Sequence, residues 1–110
     1  MAAKIENNLS AVQTSRQIVR SARKAFLNTL ANPADSSFAG WPSSSMVTTV
    51  AAWDCSPVLM LSDIAYHAQN IQADARCAIL FDGTSGYANP QEGPRVSVVG
   101  QLKKTNDNKL

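Results

Sequence analysis

The chain has 110 residues, 45% apolar and 16% charged, with a net charge of +2. That composition suits one globular domain over residues 1–110 with a single modest core, and no apolar run approaches the roughly 20 residues that span a bilayer, so no membrane partner is expected. The charge is uneven: residues 1–24 sum to +4 (five Lys/Arg, one Glu), residues 25–102 to −4 (two Arg, six Asp/Glu) and residues 103–110 to +2. An acidic middle is the reverse of the basic, aromatic-laced surface of a nucleic-acid binder, so nucleic acid is not an expected partner either.

The N-terminal segment is basic, Ser-bearing and poor in acids, a composition shared by mitochondrial transit peptides and ordinary amphipathic helices, and the helix is the preferred reading. Ser10 with Gln13 forms a capping-box pattern, and Val12, Val19, Ala22, Phe26 and Leu30 follow near one helical stripe. A helix over about residues 10–31 is predicted, ended by Asn32-Pro33 because proline disfavours helical geometry in the residue before it. Its polar face carries Arg16, Arg20, Arg23 and Lys24, either solvated or meeting an anion.

"ADSSFAGWPSSS" supplies loop chemistry, and four strands follow: "SMVTTVAAW", "VLMLS" after a "DCSP" turn, "RCAILFD" and "PRVSVVGQLKK". Gly100 in the last predicts a bulge or a close backbone approach. Cys55 and Cys77 lie in apolar runs without metal-ligand or CxxC spacing; they are expected to be reduced thiols of a cytoplasmic protein, with no metal site. One helix before the strands and a short helix between the second and third predict an α+β fold on an antiparallel, barrel-like sheet. Four such strands do not close a barrel, so another chain completes the sheet or part of the domain is missing.

The segment from Ser62 to Asp74 carries the candidate site. With Ser62 as N-cap and Asp63 to Ala73 as helix, Ile64, Ala68 and Ile71 share a face and His67 lies between them. A strand running through a serine into a helix N-terminus presents free N–H groups and a hydroxyl to an anion, although Asp63 would compete there. The plainer alternatives remain open: Ser62 and Asp63 only cap the helix, His67 is a core histidine, Gln69 and Asn70 are surface amides, and Asp74 with Arg76 is a local ion pair.

"GWPSSSMVTTVA", "PVLMLSDIAYHAQNIQADARCAILFD" and "GPRVSVVGQL" together resemble the start of the pyridoxamine 5′-phosphate oxidase-like, FMN-binding split-barrel superfamily, in the branch that includes haem-utilisation proteins. Ser62, His67, Asn70, Asp74, Arg76 and the Gly93-Pro94-Arg95-Val96 run recur at the family spacing, over about residues 16–103. The resemblance implies a split β-barrel, an FMN-dependent oxidoreductase or haem protein, and a homodimer with flavin between the chains. It makes Ser62, His67 and Asn70 candidates for the FMN phosphate end, with Gln69 beside them where relatives carry an arginine, and it places Ser45 and Val47 along the flavin. Arg95 recurs but is read as structural. No catalytic residue follows from it.

Three departures weaken the flavin expectation. Gln69 replaces the relatives' arginine and Ala68 their threonine, removing two phosphate donors, each worth roughly 1.5 to 3 kcal/mol. Relatives also continue beyond the Gly-Pro-Arg-Val strand, whereas this sequence reaches only Leu110, so a C-terminally shortened barrel is expected. The alternatives are therefore a haem-binding or haem-degrading protein of the same fold, for which His67 is the only histidine, and a shortened non-catalytic relative. The expected dimer interface includes Val47 to Ala52 and Val96 to Val99.

Overall fold

The computed structural model describes residues 10–105. The part of the N-terminal expectation that falls on residues 1–9 lies outside them. Among the described residues the architecture is α+β: one five-stranded antiparallel sheet in the order β3-β2-β1-β4-β5, with two α-helices. Helix α1 spans Ala11–Ser21, followed by β1 (Lys24–Leu30), β2 (Pro42–Ala51), β3 (Pro57–Met60), α2 (Tyr66–Ala73), β4 (Arg76–Asp82) and β5 (Arg95–Gln101).

The capping box forms as predicted, the Gln13 N–H donating to Ser10 Oγ at 3.2 Å and the Ser10 N–H to Gln13 Oε1 at 2.9 Å. The predicted length of α1 is corrected: the helix ends at Ser21, and Lys24–Leu30, expected to be its second half, is the central strand. Ala25, Leu27 and Thr29 are buried while Phe26, Asn28 and Leu30 alternate with them, a period-2 pattern hidden beneath an equally legible helical stripe. Seven consecutive pairings with β2, from Lys24 opposite Thr48 to Leu30 opposite Pro42, outweigh the local helical preference.

The register assigns faces. Leu27 lies opposite Ile79, Ala25 opposite Val47 and Phe81 opposite Val96, and with Val19 from α1 they form the core. On the other face Phe26 pairs with Met46 and Leu80, Val50 with Val58, and Ala78 with Val99. Among the described residues that face is uncovered: Met46 is 65% and Val99 78% exposed.

Gly100 makes no bulge, since the β4–β5 ladder runs unbroken from Arg76 opposite Gln101 to Asp82 opposite Arg95 and a Cβ there would meet nothing within 4 Å. Close approach occurs instead at Gly83 and Gly93, where a Cβ would stand 2.8 Å from the Pro94 carbonyl and from the Thr84 backbone respectively. Arg95 donates to the Pro90 carbonyl at 3.1 Å, a loop-bracing role that agrees with its structural reading.

Candidate functional site

The expected helix start at Ser62 is corrected. The Ala65 N–H closes a turn on the Ser62 carbonyl at 3.0 Å, Ala65 itself is extended, and α2 begins at Tyr66 with no side-chain cap. Ser62 therefore opens a turn rather than standing beside the free N–H groups of a helix N-terminus. This extended step lets α2 lay Ala68 and Asn70 against the sheet, both buried.

Asn70 is engaged within the protein. Its Oδ1 accepts from the Asn32 N–H at 2.9 Å and its Nδ2 donates to Thr29 Oγ1 at 3.2 Å, with none of the residue exposed. His67 is half-buried on the same helix, and Gln69 is exposed, reaching only the Ile64 carbonyl at 3.5 Å. Ser45 is half-buried on β2 opposite Leu27, and Val47, 6% exposed, belongs to the core opposite Ala25. The six residues are thus spread between core, helix and turn, and of them only Ser62 borders the larger cleft.

That cleft, about 660 Å³, is bordered by the edge strand β3, by α2 and by the segment after β5. The segment after β3 and the segment after β5 both line it, and Lys104 Nζ stands 3.6 Å from Asp63 Oδ2 across it. The Leu102 N–H, bonded to the Ala75 carbonyl at 3.0 Å, fixes the β5 end. Leu59, Leu61, Ala68, Ile71 and Leu102 give it an apolar lining, while Ser62, Asp63, Lys103 and Lys104 add polar and charged groups. Both partners of the Asp63–Lys104 pair are more than two-thirds exposed, so it is a weak latch. The sequence reading missed Lys103 and Lys104. Their signal was the "KK" ending the last strand, but nothing local says that this end meets the end of β3.

Elsewhere the electrostatics are structural. Arg76 grips Asp74 at 2.7 Å and holds its carboxyl down at about 2, as the local ion-pair reading had it. Burial pushes the Cys77 thiol up, away from the reactive thiolate. Among the described residues no group of three or more His, Cys, Asp or Glu side chains could hold a metal ion, and no helix is long and apolar enough to cross a membrane.

A family model described as "CREG, beta-barrel" matches residues 6–110. The chain belongs to this family. Its curled sheet is of the split-barrel type, as expected, whereas the pyridoxamine 5′-phosphate oxidase-like assignment is not what the match names. A haem-binding protein from Mycobacterium smegmatis is similar to it in structure, with a TM-score of 0.77 and 28% identity over 94% of this chain. A protein of unknown function from Agrobacterium tumefaciens superposes with a TM-score of 0.69 and 26% identity over 83%. The chain spans 40% of the first of these structures and 36% of the second. No curated protein matches the sequence.

Proposed function

We propose that the cleft of this CREG-type half-barrel binds haem. The observation that carries the reading is an apolar cleft of about 660 Å³ with Lys103 and Lys104 on it. Haem is a flat apolar ring bearing two propionates, so it asks for apolar walls and cations at one side, and the volume falls within the roughly 300–1,000 Å³ of small-molecule sites. The likeness to a haem-binding protein supports it. Lys103 would meet one propionate, Lys104 would meet the other on leaving its weak pair with Asp63, and Leu59 and Ile71 would exclude water from the ring. His67 does not border the cleft. Bound haem would supply one-electron or oxygen chemistry.

FMN, with an oxidoreductase activity, is the second reading, favoured by Ser62 in the same cleft beside the two lysines. It ranks lower because Asn70 is spent on Thr29 and Asn32, and α2 starts too late to offer its N-terminus at Ser62. The uncovered face with Met46, Val50 and Val99 supports the homodimer, the second copy covering an apolar patch that would otherwise meet water.

The test is a haemin titration followed by absorption. A saturable Soret shift at micromolar protein is expected, weakened about tenfold when Lys103 and Lys104 are both changed to alanine, since exposed ion pairs contribute about 0.2–1 kcal/mol each. Saturation by FMN but not by haemin would replace the reading with its alternative. Saturation by neither would remove both.

A further inference from the structure

A second cavity, about 400 Å³, lies away from the cleft, bordered by Asp35, Phe38, Trp41 and Tyr66. Three of the chain's seven aromatic residues gather here. The loop that carries two of them is fixed from within. Asp35 Oδ1 accepts from the N–H groups of Ser37 and Phe38 at 2.8 Å each, the Trp41 N–H donates to the Phe38 carbonyl at 2.8 Å, and the Ala31 N–H to the Trp41 carbonyl at 2.8 Å. Gly40, at φ +77°, allows the return. The loop is also tied to α2, the Tyr66 hydroxyl donating to Asp35 Oδ2 at 2.7 Å.

This bracing fixes the backbone that carries Phe38 and Trp41, whose rings stand edge to face, 5.9 Å apart at 72°, although they are 55% and 64% exposed. Rings carried on a fixed backbone and packed against each other lower the ordering cost of binding a ligand. Among the described residues no Lys, Arg or His borders the cavity. Hydrogen bonds from Tyr66 and from the Phe38 and Ser37 backbone hold the Asp35 carboxyl below its ordinary value, so it is anionic at neutral pH.

We propose that this cavity binds a small organic cation of the quaternary ammonium class, its methyl groups on the faces of Phe38, Trp41 and Tyr66 and its charge compensated by Asp35. Weakly hydrated methylated ammonium suits aromatic faces with one carboxylate better than a neutral or anionic ligand does. This site is independent of the haem reading.

The experiment uses the full chain carrying Trp53→Phe, so that Trp41 alone reports. Choline is titrated against its neutral carbon isostere, dimethylbutanol, by tryptophan fluorescence at constant ionic strength. Saturable quenching by choline is expected, with the isostere about tenfold weaker or worse. Asp35→Asn, which keeps an Oδ1 acceptor for the loop, should weaken choline and leave the isostere unchanged, and Phe38→Leu should weaken choline without unfolding the chain. Equal affinity for choline and isostere, unchanged binding in both variants, or no saturable quenching overturns the proposal.

Discussion

The Asn70 amide donates to the Thr29 hydroxyl at 3.2 Å, and both residues are buried, so a single side chain on α2 is bonded to the central strand. Its Oδ1 simultaneously holds the Asn32 N–H at the start of the aromatic loop. Asn70→Ala removes both bonds and strands two polar groups, which should cost about 2–4 kcal/mol in urea unfolding. A loss below about 1 kcal/mol would mean that water replaces the amide.

Leu27 is fully buried between Ser45 and Ile79, whereas Met46, on the neighbouring strand but the opposite face, is 65% exposed. Leu27→Ala should therefore destabilise by about 2–5 kcal/mol. Comparable losses from Met46→Ala in a dilute sample would show that the outer face is already covered.

If the outer face joins two copies, Val99→Glu should convert a dimer to a monomer in sedimentation equilibrium while leaving the circular dichroism spectrum intact, because Val99 is 78% exposed and outside the core. A monomer before the substitution would remove the dimer proposal.

Asp74 titrates at about 2 against an ordinary 3.8, through its bonds to Arg76, and the carboxyls of Asp35, Asp54 and Asp82 are also lowered, chiefly by the Tyr66 hydroxyl, the Ser56 N–H and the Thr84 hydroxyl. A carboxyl depressed by folding binds its proton more readily when unfolded. Its stabilisation is present above about pH 4 and is lost as pH falls toward 2. Carboxyl NMR should give a midpoint near 2 for Asp74, moving up toward 3.8 in Arg76→Gln; an unmoved midpoint would assign the shift to another cause.

Strands β2 to β5 were legible because β-branched and apolar runs there are bounded by turn residues, and the α1 start because Ser10 and Gln13 state it locally. The stretch from Lys24 to Leu30 was not, since Phe26 and Leu30 continue a helical stripe while Ala25, Leu27 and Thr29 keep strand alternation. Both patterns are true of the same residues, and hydrogen bonding on both edges from β2 and β4 selected the strand.

At the site the same division holds. The sequence alone determined which side chains could bind an anion or cap a turn, because donor chemistry belongs to residue types: Ser62, His67, Gln69 and Asn70 were all visible as donors. Only the tertiary structure decided which of them face a cleft. Asn70 turned inward because Thr29 and Asn32 lie beneath α2, and Lys103 and Lys104 joined Ser62 because the segment after β5 comes to the segment after β3, a meeting of residues some forty positions apart that no local pattern encodes.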